Sequence, residues 1–255
     1  MLLTVDCGNT QIVLGLYSDN QLINHWRIST VAQKTEDEYF VLLDHMLSRA
    51  NLHLSDVDGF IVSSVVPAVT FALRKFAEKY LNFPGFFVDH TTKTPIKVLT
   101  DNPWEVGADR IVNALAAHTK YSGYLIVVDF GTATTFDVIS AAGEYLGGAI
   151  APGLEISANA LFTHAAKLSN ISLEKPLHVI GKNTTESLRS GLLYGYGGQV
   201  DGLIARISQE LPTQPQVIAT GGLAKQVAEF SDSIDQVDNQ LTLEGLKLIW
   251  ENYRD

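Results

Sequence analysis

Short apolar runs broken by turn residues recur along the chain in two series. The first opens with Leu2-Leu3-Thr4-Val5, ends at Asp6, and resumes after Cys7-Gly8-Asn9-Thr10-Gln11 as Ile12-Val13-Leu14-Gly15-Leu16-Tyr17. The second opens with Leu125-Ile126-Val127-Val128, ends at Asp129, and resumes after Gly131-Thr132-Ala133-Thr134-Thr135 as Phe136-Asp137-Val138-Ile139, apolar but for Asp137. Continuous apolar runs of this length, rich in β-branched residues, predict buried strands. Asp6 and Asp129 stand 123 positions apart, and at that offset Gly8 matches Gly131 and the turn at 18–20 matches 141–143. A third strand follows in each series, over 22–28 and 145–150. Self-similarity of this kind predicts a duplicated fold of two strand–turn–strand–turn–strand units. Ser122-Gly123 makes the joint, giving domains at 1–121 and 122–255.

The period then changes from strand to helix. Thr35-Glu36-Asp37-Glu38 has the spacing of a capping box, and Tyr39, Leu42, Leu43, Met46, Leu47 and Ala50 form a helical stripe behind it. A strand at 60–62 leads through Ser63-Ser64 to Pro67, which suits the first turn of a helix with Val69, Leu73, Phe76, Ala77 and Tyr80 inward. A strand at 86–88 and a loop over 91–100 follow. Asn102-Pro103-Trp104-Glu105 reads as the start of a helix that carries Ile111, Leu115 and His118 on one face.

In the second half, Ile156, Ala160, Leu161, Ala165 and Leu168 predict a helix. Residues 175–182 read as loop. Thr184 or Thr185 caps a long helix with Leu188, Leu192, Leu203 and Ile207 inward. Its glycines at 191, 195, 198 and 202 fall on one face, where glycine costs about 1 kcal/mol per position against alanine. They predict a close approach, by a packed helix first and a second subunit otherwise. A strand over 215–219 leads into Thr220-Gly221-Gly222, parallel to 61–67, and Leu243, Leu246, Trp250 and Tyr253 close the chain as an amphipathic helix.

Candidate chemistry follows from the bends. A strand that turns through Gly and Thr presents backbone N–H groups and hydroxyls suited to phosphate oxygens, and the adjacent Asp suits a cation travelling with them. Asp-x-Gly alone is ordinary turn chemistry; two copies at matching points of a repeat favour phosphate. Gly-Lys-[Ser/Thr], G-x-G-x-x-G and a nucleophile elbow are absent, and the seven histidines are scattered without zinc spacing. Cys7 reads as a small residue filling a tight turn. Asp109, after Gly107-Ala108 and before Arg110, admits two readings: a surface carboxylate favoured by the helix dipole, or a general base beside an arginine that binds substrate.

Composition narrows the classes. With 18 Lys and Arg against 28 Asp and Glu the net charge is −10, which argues against nucleic-acid binding. One cysteine excludes an internal disulfide, no apolar run is long enough to span a membrane, and the start MLLTVDCGN lacks the basic segment of a signal peptide. The expectation is a soluble cytoplasmic protein.

Taken together, Asp6-Cys7-Gly8-Asn9-Thr10, Gly107-Ala108-Asp109-Arg110, the 129–135 bend, Pro152-Gly153 and Thr220-Gly221-Gly222 resemble type III pantothenate kinase over almost the whole chain. The resemblance implies an α/β fold of duplicated ribonuclease-H-like, actin-like ATPase domains, mixed sheets flanked by helices, with a nucleotide between them. It implies transfer of the ATP γ-phosphate to pantothenate, the first committed step of coenzyme A synthesis. Asp6, Cys7, Gly8, Asn9, Thr10, Gln11, Ile12 and Val13 would form the first phosphate loop, Asp6 near magnesium. Thr132 would contact ATP, Gly221 and Gly222 would meet the adenosine, and Asp129 would bind potassium or ammonium. Gly107, Ala108, Asp109, Arg110 and Thr184 would hold pantothenate, with Asp109 as base. The resemblance further implies a homodimer. Thr100 stands where many members carry tyrosine, and Leu168-Ser169 where Leu-Pro is frequent. The rival reading is a non-catalytic regulatory protein on the same fold, against which the retention of Asp6, Asp109 and Asp129 speaks. An actin-like or chaperone ATPase is a third, disfavoured by the short chain.

Overall fold

The computed structural model of the protein describes residues 1–164 and 171–254. Two compact units emerge: Met1–Ala116 together with Gln240–Asp255, and Ala117–Asn239.

In the first unit a three-strand meander, β1 (Leu2–Cys7), β2 (Gln11–Ser18) and β3 (Gln21–Ser29), is followed by helix α1 (Glu36–Arg49), β4 (Gly59–Ser64), α2 (Pro67–Tyr80), and the short strands β5 (Phe86–Phe87) and β6 (Lys97–Val98). The sheet order is β3-β2-β1-β4-β5, with β1 antiparallel to β2 and parallel to β4. Leu3, Val5 and Cys7 of β1 share one core with Phe60 and Val62 of β4 and with Tyr39, Leu43, Leu47, Leu73 and Phe76 of α1 and α2. Thr35 caps α1 as expected: its hydroxyl accepts from the Glu38 amide while the Glu38 carboxylate accepts from the Thr35 amide, 2.8 Å.

Helix α3 (Ala108–Lys120) begins later than the pattern at Asn102 suggests. Pro103–Glu105 is only a 3-10 turn; the Asn102 side chain donates to Glu105 Oε1 at 2.7 Å instead of capping a helix. Gly107 then restarts the chain, its carbonyl accepting from the Arg110 amide at 3.1 Å.

The second unit repeats the plan with β7 (Leu125–Phe130), β8 (Ala133–Ile139), β9 (Glu144–Pro152), α4 (Leu154–His164), α5 (Thr184–Gln209), β10 (Gln216–Thr220), α6 (Ala224–Ala228) and β11 (Gln236–Val237). Within it the order is β9-β8-β7-β10-β11, again with the first strand antiparallel to the second and parallel to the fourth. This is the expected duplicated mixed-sheet α/β architecture. The offset between copies falls from 123 to 122 positions across the first bend, because Asp6 pairs with Val13 and Asp129 with Thr135. The second bend is one residue shorter.

Four details differ from the sequence reading. Helix α7 (Leu241–Arg254) belongs to the first unit, not to 122–255: Trp250 lies against Gly59 and Leu243 against Gly15. Tyr253 stays largely exposed, its ring 4.3 Å from Phe86. In α4 the inward residues are Leu154 and Ala158, while Ile156 and Leu161 are exposed; polar and apolar residues are interspersed around the helix, so its period selects no face. Ala165, Leu168 and Ser169 lie outside the described residues. In α5 the cap is Asn183, whose Oδ1 accepts from the Glu186 amide, and the buried stripe is Leu193, Tyr196, Val200 and Ile204, with the expected Leu192, Leu203 and Ile207 packed against that core and partly buried. A Cβ at Gly191, Gly195 or Gly198 would meet nothing within 4 Å beyond its own helix. The close approach is made at Gly197, against the Phe230 carbonyl, and not at these three glycines among the described residues. No helix among the described residues is long and apolar enough to cross a membrane.

The core assignment predicts sharply unequal effects. Phe76→Ala, at a fully buried ring, should lose about 3–5 kcal/mol in urea unfolding, and Thr35→Ala about 1 kcal/mol through the lost cap.

Candidate active site

In the first unit the candidate loop grows from the carboxyl end of β1. Asp6 is half-buried, Cys7 is buried, and Asn9, Thr10 and Gln11 are exposed. The Gly8 amide donates to the Gln11 carbonyl at 3.0 Å, closing the turn. Thr30 clamps it from β3's end: its hydroxyl donates to the Gly8 carbonyl at 2.7 Å and its amide to the Thr10 carbonyl at 2.9 Å. Ile12 is buried in the core and Val13 pairs with Asp6 across the hairpin. On the other side Asp6 pairs with Ser63 of the parallel strand β4, whose hydroxyl is buried with no hydrogen-bond partner among the described residues. The Cys7 thiol is pushed up to about 11, chiefly by burial, so it stays protonated and is no nucleophile.

Asp109 stands in the first turn of α3, beside helix amides that have no partner within the helix. Burial pushes its carboxyl above the usual range, while the Arg110 amide, donating to Oδ1 at 2.9 Å, and the Arg110 guanidinium pull the other way. A raised carboxylate is a better proton acceptor near neutrality. A Cβ at Gly107 would meet Asp109 Oδ1, so a side chain there would displace that carboxylate oxygen. Thr100, on the same unit, keeps a buried hydroxyl with no hydrogen-bond partner.

In the second unit the matching bend lies at the end of β7. The Gly131 amide donates to the Ala133 carbonyl at 3.1 Å, and the Gly153 amide to the Thr132 carbonyl at 3.1 Å. Gly153 is held tightly behind the bend, since a Cβ there would sit 2.5 Å from the Gly131 carbonyl. Asp129 pairs with Thr220 of β10, so Gly221 follows directly beside it. Gly221 has φ +93°, and a Cβ would strike Asp129 Oδ1 and lie 2.7 Å from the Phe130 amide. Asp129, Gly131, Thr132, Gly153 and Gly221 are thus brought together. Gly222 is exposed next to them, whereas Thr184 is exposed at the first position of α5. Among the described residues no cluster of three or more His, Cys, Asp or Glu side chains could hold a metal ion. Magnesium bound with a nucleotide is commonly held by one or two carboxylates plus the phosphates, so such an ion does not need a cluster of that size.

Sequence reasoning missed Thr30, Ser63 and Tyr196, which bonds the Thr134 hydroxyl and donates to the Pro152 carbonyl at 3.3 Å. None carries a local signal; only strand pairing and helix packing bring them to the loops.

The profile of the type III pantothenate kinase family matches residues 2–206. The chain belongs to that family. A type III pantothenate kinase of Anaeromyxobacter sp. is 50% identical over 254 residues, covering 100% of both chains. Among solved structures, a candidate Baf-family transcriptional activator from Campylobacter jejuni superposes with a TM-score of 0.61 at 20% identity, covering 99% of each chain. The activator of 2-hydroxyisocaproyl-CoA dehydratase from Clostridium difficile, with bound ADPNP, gives 0.58 at 12% identity, covering 99% of this chain and 97% of that one. At these identities the two structures speak to the fold alone.

The packing at Gly221 gives a prediction with an internal control. Gly123 has a similar φ of +84° but open space around it. Gly123→Ala should cost about 1–2 kcal/mol from backbone conformation alone. Gly221→Ala should lose clearly more in urea unfolding, and should also weaken ATP binding by calorimetry.

Proposed function

We propose that the protein transfers the γ-phosphoryl group of ATP to the primary hydroxyl of pantothenate, giving ADP and 4′-phosphopantothenate, and so opens coenzyme A synthesis. Family membership supports this reading, and the observation that carries it is Asp109: a carboxylate at a helix start whose proton affinity is raised by burial. In the reaction the hydroxyl oxygen forms a bond to the γ-phosphorus as the bond to the β,γ-bridging oxygen breaks. Asp109 takes the hydroxyl proton. Phosphoryl transfer otherwise needs positioning and charge stabilisation more than covalent help.

The remaining roles follow the same reading. Asp6 through Val13 bind ATP, with the Gly8–Thr10 bend on its phosphates, and Thr132 adds a further contact. Asp6 would hold the magnesium ion, which when bound neutralises phosphate charge. Gly221 and Gly222 take the adenosine, where side chains would obstruct a flat ring. Gly107, Ala108, Arg110 and Thr184 bind pantothenate, whose carboxylate suits Arg110. Asp129 would hold a monovalent cation. The protein works in the cytoplasm as a homodimer; room for a second subunit is supported by Gly191, Gly195 and Gly198 of α5, where a Cβ would meet nothing within 4 Å among the described residues.

The test is an ADP-release assay with ATP, magnesium, potassium and pantothenate. The wild type should turn over only when pantothenate is present; no turnover above background would sink the proposal. Asp109→Asn should lower kcat by about 10²–10⁴. Because the folded state holds the Asp109 proton more tightly than the unfolded chain, its stabilising effect is present at low pH and lost as pH rises through the raised pKa. Asp109→Asn should therefore leave Tm at neutral pH unchanged or higher, with any gain disappearing in acid. Wild-type activity should fall on the acid side as Asp109 is protonated.

A further inference from the structure

The duplication supplies an internal comparison that isolates one group of residues. Strand pairing matches Val13 to Thr135 (opposite Asp6 and Asp129), Gly15 to Asp137 (opposite Thr4 and Val127), and Leu22 to Tyr145 (opposite Tyr17 and Ile139). In the first unit these positions are Val, Gly and Leu. In the second they are Thr, Asp and Tyr, and both Asp137 and Tyr145 are fully buried. Asp137 accepts from Tyr145 OH at 2.7 Å through Oδ1 and from Thr135 Oγ1 at 2.9 Å through Oδ2. Burying a carboxylate is unfavourable even when it is hydrogen-bonded, and apolar replacements of similar volume are often neutral or stabilising. The first unit forms the same meander without the trio, so the fold does not require it.

What the trio does is set by register. Asp137 and Thr135 are two residues apart on β8 and point to the same face. Thr135 is the direct cross-strand partner of Asp129, where side chains on one face stand about 4.5–5.5 Å apart at Cβ. By donating its proton to Asp137, the Thr135 hydroxyl is fixed in rotation, and its lone pairs turn away from Asp137. We propose that Asp137 and Tyr145 are positioning residues that lock Thr135 as an oxygen donor beside Asp129, making the two side chains one cation-facing pair. The inference rests on the reading of Asp129 as a monovalent-cation ligand. The donor set fits such an ion: a carboxylate and an oriented hydroxyl are hard oxygen ligands. Gly221 leaves the space against Asp129 Oδ1 that any Cβ would fill.

The experiment compares the wild type, Thr135→Val, Thr135→Ser and Tyr145→Phe as full-length protein. Tm is followed in the presence of ADP during titration with potassium chloride, using choline chloride to hold ionic strength. Half-saturating potassium for turnover is measured alongside. Loss of a partner that orients a metal ligand typically weakens affinity about 10–100-fold, so Thr135→Val and Tyr145→Phe should move both potassium midpoints upward into that range. Thr135→Ser, which keeps the hydroxyl, should stay close to wild type. In Tyr145→Phe, kcat at saturating potassium and KM for pantothenate should change little, which separates positioning from general damage. Potassium midpoints unchanged in Thr135→Val and Tyr145→Phe would overturn the inference alone. A wild type indifferent to potassium in both measurements would overturn the reading of Asp129, and the inference with it.

Discussion

Each unit is built around a strand that leaves the core at an aspartate. β1 and β7 are antiparallel to one neighbour and parallel to the other, so their last residues meet a hairpin bend on one side and a diverging strand on the other. Upstream, both faces are covered and the residues are apolar except Thr4, whose hydroxyl donates to the Gly15 carbonyl. At Asp6 and Asp129 the cover ends, and a carboxylate can be half-solvated without leaving the ladder. The bends are then fixed by contacts from outside: Thr30 on the Gly8 and Thr10 carbonyls, Gly153 on the Thr132 carbonyl, and Gly221 packed on Asp129. On the proposed reading, such bracing would prepare backbone groups for a charged ligand at little cost in reorganisation.

The two copies have the same topology and different chemistry. The first surrounds its aspartate with Val13 and the hydroxyl of Ser63, above an apolar meander. The second surrounds its aspartate with Thr135 and Thr220, and places a buried carboxylate one step behind. Hydrophobic burial explains the shared plan, because both sheets need the same alternation to make a core. It does not explain Asp137 and Tyr145, which are polar groups at positions where the sister unit manages with Gly and Leu. Divergence within a repeat therefore separates what holds the fold from what serves the site. Asp109 belongs to neither bend; its proton affinity comes from burial at a helix start, opposed by the amide and guanidinium of Arg110.

Much of this was legible in the chain. The strand order of each meander, the Asp-x-Gly bends, the Thr35 capping box and the Pro67 helix start are set by residues within a few positions of one another, where turn and cap chemistry acts. The duplication was legible because the same local rules recur at a near-constant offset. The family could be recognised because its motifs are these same local pieces in order.

Other features were decided only when distant segments met. The side of α4 that faces inward, the return of α7 to Gly59 and Gly15, and the closing of Gly197 rather than its four neighbours on Phe230 depend on which surfaces pack. A one-dimensional pattern that scatters apolar residues around a helix, or that repeats glycine, leaves those choices open. Likewise Thr30, Ser63 and the Asp137 group reach the aspartates through strand register, which pairs residues that the chain keeps apart. Local sequence determined where this protein turns and where its carboxylates emerge; tertiary packing decided what stands beside them, because burial and cross-strand neighbours exist only once the sheets have formed.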